Sequence, residues 1–217
     1  PLLAPLQRTL WRVPRNSKRA ARRHISAHYD LGNDFFALFL DDSMMYSSAY
    51  FADPDASLAE AQEARLERVC RALELGPDDH LLEIGTGWGG LAVHAASSRG
   101  CRVTTTTISR EQQQYALERV RAAGLENLVT VLDSDYRDLT GTFDRIVSLE
   151  MIEAVGWEWF DTYFRHCSRL LEPDGLFFLQ SIVIDDSAYE IEKRTKSFAN
   201  QVIFPGAIYD QDRLRAL

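Results

Sequence analysis

One stretch, His80-Leu-Leu-Glu-Ile-Gly-Thr-Gly-Trp-Gly-Gly90, limits what this chain can fold into more than any other. Its opening residues are an apolar run of strand length, and glycines follow at positions 85, 87 and 89. The pattern reads as a buried strand that enters a tight glycine turn and then a helix. Glycine takes conformations closed to other residues and lets the backbone come close to a ligand. Glu83 stands on the strand just before the turn, within reach of a positively charged or hydroxylated group. The spacing Gly85-x-Gly87-x-x-Gly90 also satisfies the dinucleotide fingerprint. The turn alone therefore does not choose the ligand.

The surrounding pattern sets the fold class. Apolar runs at 80–84, 101–107, 128–132, 143–149 and 175–184 have strand length, with helical patterns at 88–98, 110–123 and 157–171 between them. Turn signals stand at Gly100, Gly124, Gly141 and Pro173-Asp174-Gly175. Strand alternating with helix predicts an α/β fold with a doubly wound, mostly parallel sheet. Ahead of it, residues 30–75 look helical. Ser57 with Glu60 makes a capping box, and Leu58, Ala61, Leu66, Val69 and Leu73 recur at helical spacing up to Gly76-Pro77. The expected organisation is an arm at 1–29, a helical cap at 30–76, an α/β core at 77–186 and a lid or acyl-site segment at 187–217. The chain starts without methionine or a signal-peptide layout and reads as a piece of a longer one.

Charge is unevenly spread. Residues 1–29 carry seven basic side chains and no acid, whereas the remainder carries 17 basic and 32 acidic residues. Leu2, Leu3, Leu6, Leu10, Trp11 and Val13 lie among those basic groups. Such a segment suits the surface of an anionic membrane. It suits equally an arm that pairs with its own acidic body. Nucleic acid is disfavoured, because that body would repel it. No run of about 18 apolar residues suggests a membrane span. Cys70, Cys101 and Cys167 are too few and too scattered for a disulfide framework or a zinc site, and the histidines lack partners at ligand spacing, so no metal is expected. Free thiols point to a reducing, cytoplasmic setting, with peripheral attachment to the inner face of the membrane.

The end of the second strand tests the dinucleotide option. An NAD site places an acid there for the ribose hydroxyls, yet Val103 to Arg110 contains none. Thr107 and Gln112 can pair with ribose without charge, although a threonine run also fits plain strand propensity. At the third strand end, Asp135 and Tyr136 can bracket an adenine ring or simply form a solvated turn.

Several motifs in fixed order then resemble the cyclopropane fatty-acid synthases, a family of class I S-adenosylmethionine-dependent methyltransferases. They are Ala27-His-Tyr-Asp-Leu-Gly-Asn-Asp-Phe-Phe-Ala-Leu-Phe-Leu40, Met45-Tyr-Ser-Ser-Ala-Tyr-Phe51, Glu83–Gly90, Thr107-Ile-Ser-Arg-Glu-Gln112, Asp135-Tyr-Arg-Asp138, Asp144-Arg-Ile-Val147, Glu150-Met-Ile-Glu-Ala-Val-Gly156 and Ile203-Phe-Pro-Gly206. The resemblance implies that Tyr29, Tyr46 and Ser47 close over the cofactor, that Gly85, Thr86 and Gly87 line its methionine end, that Thr107 and Gln112 meet its ribose, and that Asp135 and Tyr136 meet its adenine. It implies methyl transfer to the double bond of an unsaturated acyl chain in phospholipid, giving a cyclopropane or a methyl- or methylene-branched chain. The family's sheet usually has two further strands after the fifth, for which there is no room before Leu217.

The family's base site commonly holds bicarbonate. Glu153 is kept from it, but Ser48 stands at the cysteine position, Ala154 follows Glu153, and Gln180 stands at the histidine position. Serine and glutamine hydrogen-bond anions but do not titrate near neutral pH, so bicarbonate is possible rather than implied outright. Glu153 can act as the base if burial raises its pKa, with Glu150 adding like-charge repulsion. Glu150 itself is expected to point to solvent. The competing readings are a lipid- or cofactor-binding module without turnover, and a methyltransferase for a soluble small molecule.

Overall fold

The computed structural model describes residues 32–156 and 159–185, together with 17, 18, 21, 22, 25, 187, 188, 209 and 210. Most of the basic arm, Tyr29 and most of the 187–217 segment lie outside these residues.

Ahead of the sheet lie α1 at Asn33–Ala37 and α2 at Leu58–Ala72. Ser57 caps α2 with the expected reciprocal pair, its hydroxyl accepting from Glu60 N and the Glu60 carboxylate accepting from Ser57 N at 2.8 Å. The stretch from 38 to 57 is not helical, which corrects the expectation of a helical cap across 30–75. Asp41 accepts from the backbone and the hydroxyl of Ser43 and closes a local turn, and Met44 follows with φ +53. Such side-chain-to-backbone bonds compete with helix.

The core alternates as expected: β1 His80–Ile84, α3 Gly90–Arg99, β2 Arg102–Thr107, α4 Arg110–Ala122, β3 Val129–Asp133, β4 Phe143–Leu149, α5 Phe160–Leu170 and β5 Leu171–Gln180. All five strands are parallel, in the order β3-β2-β1-β4-β5. Val183–Ile184 (β6) pairs separately with Tyr209–Asp210 (β7). Central β1 is buried on both faces. Leu81 joins Leu66, Leu91, Val103 and Val147 on one side, and Leu82 and Ile84 join Ile146, Ile152 and Tyr163 on the other. That two-sided burial is why the strand reads as a continuous apolar run. Cys70, Cys101 and Cys167 are free and buried, as the sequence suggested. Among the described residues no helix is long and apolar enough to cross a membrane.

One boundary moves. β5 begins four residues before the predicted position and carries Pro173-Asp174-Gly175 inside it, where the register with β4 slips between Phe143 and Arg145. A side chain at Gly175 would meet Asp144 O at 2.8 Å, so the close approach requires glycine and the turn signal marks a bulge.

The chain leaves β1 toward β2 and β3 and later returns to its other side with β4. A crevice opens where strand order reverses, at the strands' C-terminal ends, and ligands bind such folds there. The 41–45 loop is pressed against the start of α3 above this crevice. Arg119 of α4 clamps it by donating to Ser43 O at 2.6 Å and Asp42 O at 2.8 Å. A Cβ on Gly90 would collide with the Met45 side chain and lie 2.8 Å from Ser43 O. Gly90→Ala is therefore expected to lower stability by about 1–3 kcal/mol, the usual cost of overpacking. Gly76→Ala serves as control, since its Cβ would meet only Asp79 at an ordinary 3.7 Å. Equal thermal midpoints for the two variants would contradict this close packing.

Candidate active site

A cleft of about 1100 Å³, counted with its open mouth, lies over the C-terminal ends of β1, β2 and β4. Ten of the sequence-predicted residues share its wall: Tyr46, Ser47, Glu83, Gly85, Thr86, Gly87, Thr107, Gln112, Asp135 and Tyr136. Gly85 and Gly87 both have positive φ, at +105 and +52, as a tight turn demands. A Cβ at Gly85 would sit 3.1 Å from Met151, whereas one at Gly87 would meet no protein atom within 4 Å. The wall at Gly87 is bare backbone facing open space.

Glu83 is buried and accepts from the Thr105 hydroxyl at 2.6 Å. Burial pushes its pKa up to about 8, against the Thr105 hydrogen bond and the charge of Arg65. At the end of β2, Thr107 donates to Gln112 Oε1 at 3.0 Å, and Ser109 caps α4 by accepting from Gln112 N. The Gln112 NH2 group keeps no partner among the described residues.

The Asp135–Tyr136 pair differs from expectation. Asp135 accepts from Arg137 N, Nε and Nη2 at 3.0, 2.7 and 2.6 Å. Burial works to raise its pKa, but the Arg137 hydrogen bonds and charge hold it below the usual carboxylate value. Tyr136 is buried edge-on against Tyr163 at 5.2 Å, and burial raises the pKa of its hydroxyl. Arg137, not singled out from the sequence, also lines the cleft and lies over the Tyr136 and Trp159 rings.

The cap side is organised by α2. Gln62 donates to Met45 O at 3.2 Å and Ser47 O at 2.9 Å, and Arg65 Nε donates to Gln62 Oε1 at 3.0 Å. Arg65 is only 3% exposed, and its Nη1 and Nη2 have no hydrogen-bond partner among the described residues. Burial lowers its pKa, opposed by the charges of Glu150, Glu83 and Asp41. Phe36 and Met44 pack on Trp88, whose indole donates to Asn33 at 2.6 Å. Phe35, Phe39, Tyr46, Tyr50 and Phe51, by contrast, are exposed.

The predicted base-site residues separate. Ser48 and Gln180 do meet, but around Glu150. Its Oε1 accepts from Ser48 N at 3.0 Å, Ser48 Oγ at 2.8 Å and Gln180 Nε2 at 2.7 Å. Gln180 also reaches Ser48 Oγ at 3.1 Å. Glu150 lines the cleft, and its φ is +50. The expectation that it points to solvent was wrong. A left-handed non-glycine residue costs about 1–3 kcal/mol and persists only where surrounding contacts impose it. Glu153 is 2% exposed and accepts from Ile182 N at 2.6 Å, with Oε2 buried and without a partner among the described residues. Burial raises its pKa to about 7, against the Ile182 hydrogen bond and with help from the Glu150 charge. It stands behind the cleft wall, not on it.

The model for mycolic acid cyclopropane synthetase matches residues 16–212, nearly the whole chain. The chain belongs to this family. It is 40% identical over 213 residues to the tuberculostearic acid methyltransferase UfaA1 of Mycobacterium tuberculosis, covering 95% of this chain and 49% of that protein. It is 46% identical over 178 residues to the cyclopropane-fatty-acyl-phospholipid synthase of Escherichia coli K12, covering 82% of this chain and 44% of that enzyme. The chain thus spans about half the length of these relatives. Among solved structures, mycolic acid cyclopropane synthase CmaA1 complexed with SAH and CTAB superposes with TM-score 0.80 at 32% identity, over 88% of this chain and 70% of that one. The cyclopropane synthase MmaA2 of Mycobacterium tuberculosis also gives 0.80, at 28% identity over 89% and 71%. The class I methyltransferase fold expected from the sequence is the observed one.

Bicarbonate, possible on the sequence, does not fit the groups present. The donors of Ser48 and Gln180 already converge on the Glu150 carboxylate, and Ile182 N is taken by Glu153.

Proposed function

We propose that this chain is the S-adenosylmethionine-binding catalytic part of a methyltransferase that acts on the double bond of unsaturated acyl chains in phospholipid. The observation that carries the reading is one cleft shared by the bare Gly85–Gly87 turn, the Thr107–Gln112 pair and a cap segment held down at Met45 and Ser47. The cofactor fits this wall: the turn leaves room for its methionine end, the Gln112 NH2 is available to a ribose hydroxyl, and the Asp135–Arg137 pair stands at the adenine end. When bound, it supplies an electrophilic methyl on a sulfonium.

The chain's own residues do the rest. Gly85, Thr86 and Gly87 admit the methyl donor, and buried Glu83 fixes the turn from below through Thr105 and Thr86. Met44, Met45 and Tyr46 cover the reacting region and exclude water, which a weak alkene nucleophile needs for a close, aligned approach. The Tyr46 ring offers its negative face to the cation that forms on the acyl chain. Tyr29, to which the family resemblance gives the same role, lies outside the described residues. Glu153 is a positioning residue: by holding Ile182 N it sets the end of β5, and with it Gln180.

Cells expressing the full-length protein should accumulate acyl chains that carry one more carbon, as a ring or branch on an unchanged chain length, than their monounsaturated precursors, seen by lipid mass spectrometry. A lipid profile unchanged from that of cells without the protein would refute the substrate assignment.

An anionic membrane surface is the proposed partner of the basic arm. Two of its side chains face the body instead: Lys18 pairs with Asp138, and Arg22 with Asp133 at 2.8 Å. The remaining five are assigned to lipid, each contributing about 1 kcal/mol near an anionic surface. Flotation with phosphatidylglycerol vesicles should show binding that weakens as salt rises. Equal flotation with neutral vesicles would contradict the electrostatic attraction.

A further inference from the structure

We propose that Glu150 supplies, from the chain itself, the carboxylate that takes up the proton released after methyl transfer, so that no added anion serves as base. The inference rests on the reading of the reaction given above, and three observations carry it.

The first is place. Glu150 directly follows β4, at the crevice where the strand order reverses, and it is part of the cleft wall. Glu153, the acid kept from the family pattern, faces Ile182 N behind that wall. The second is how the side chain is held. Three donors, two from Ser48 on the cap side and one from Gln180 at the end of β5, converge on a single oxygen, Oε1. Oε2 has no hydrogen-bond partner among the described residues, so one oxygen is fixed and the other is left to accept a proton. Neither Ser48 nor Gln180 titrates near neutral pH, so the only acid–base group in this cluster is the carboxylate. The third is the backbone. Glycine would take φ +50 freely, yet a glutamate is held there by the contacts its side chain makes.

The step balances as follows. The sulfonium carbon–sulfur bond breaks with its electron pair left on sulfur. The alkene π pair forms the new carbon–carbon bond and leaves a cation on the neighbouring carbon. A carbon–hydrogen bond then breaks. Its electrons close a ring or form a new double bond, and its proton goes to Glu150 Oε2 and then to water.

The test uses the full-length protein, its Glu150→Gln and Glu150→Gly variants, methyl-labelled S-adenosylmethionine and vesicles of monounsaturated phospholipid. Each is assayed in bicarbonate-depleted and bicarbonate-supplemented buffer. The wild type should turn over equally in both. Glu150→Gln should keep its affinity for S-adenosylhomocysteine and lose about 100-fold or more in rate, the scale of general base catalysis. Glu150→Gly frees the Ser48 and Gln180 donors and suits the backbone, so its lost activity should return when bicarbonate is supplied. In parallel, the carbon-13 resonance of labelled bicarbonate should broaden with Glu150→Gly and not with the wild type. That binding measurement decides the matter even if no lipid is methylated, a result that would count against the substrate reading alone. Bicarbonate bound by the wild type, a wild-type rate that collapses on depletion, or near-full activity in Glu150→Gln would each overturn the proposal.

Discussion

Gly87→Val is expected to abolish binding of S-adenosylhomocysteine while the protein stays folded. Gly87 has φ +52 and its Cβ would meet no protein atom within 4 Å, so a valine there clashes with nothing in the chain. Its branches would instead stand in the cleft, in the space assigned to the cofactor's methionine end. A loss of about 100-fold in affinity corresponds to about 2.8 kcal/mol, and overlap with a ligand exceeds that readily. The left-handed backbone adds strain of about 1–2 kcal/mol for any side chain. Gly124→Val separates the two effects, because Gly124 has φ +67, equally open surroundings and a position away from the cleft. Calorimetry should find binding lost in Gly87→Val and kept in Gly124→Val. Retained affinity in Gly87→Val would remove the glycine turn from the cofactor site.

A second large effect concerns pH. Glu83 and Glu153 are buried, and their pKa values are raised from 4.5 to about 8 and about 7. The native protein keeps these protons while the unfolded chain releases them above its ordinary pKa. Their stabilising contribution is therefore complete below pH about 4.5 and is lost as pH rises through about 7 to 8. Half-buried His80 and His94 act the other way, since partial burial lowers their pKa values and acid then favours the unfolded chain. The informative quantity is thus the difference between wild type and Glu83→Gln, measured by denaturant unfolding without cofactor. Glutamine keeps an acceptor for Thr105 but has no proton to lose. The variant should match the wild type near pH 5 and exceed it near pH 8 by something on the order of a few kcal/mol. Parallel stability curves would mean that Glu83 is ionised in the folded state.

The sheet was legible because its strands carry strong signals. His80–Ile84 and Phe143–Leu149 fall at the predicted bounds, since strands buried on both faces read as unbroken apolar runs between turn residues. Ser57 marked the start of α2 for a local reason, the capping box. Errors arose where a distant contact overrode a local signal. Pro173-Asp174-Gly175 looked like a turn but is a bulge, because Gly175 lets β5 pass close to Asp144. The 38–57 region falls within the expected helical cap, yet Asp41 and Ser43 turn it.

The site was legible in part. The glycine turn and the Thr107–Gln112 pair announce themselves by spacing and by the missing strand-end acid. Glu150 did not, because nothing local reveals a left-handed glutamate reached by donors 102 residues upstream and 30 downstream. A signal was present nonetheless. Ser48 and Gln180 depart from the family pattern together, and two neutral donors left without an anion require an acceptor nearby. Arg65 and Gln62 were missed because α2 read as a packing helix, while Gln62 holds the 45–47 segment and Arg65 holds Gln62.

The most direct test is transfer of label by the purified full-length protein. S-adenosylmethionine deuterated in its methyl group is supplied with vesicles of monounsaturated or fully saturated phospholipid, and the acyl chains are analysed by mass spectrometry. Deuterium should appear in the acyl chains of the unsaturated lipid, with S-adenosylhomocysteine formed in equal amount, and not in those of the saturated lipid. Label absent from both lipids, or present equally in both, would contradict methyl transfer to the double bond.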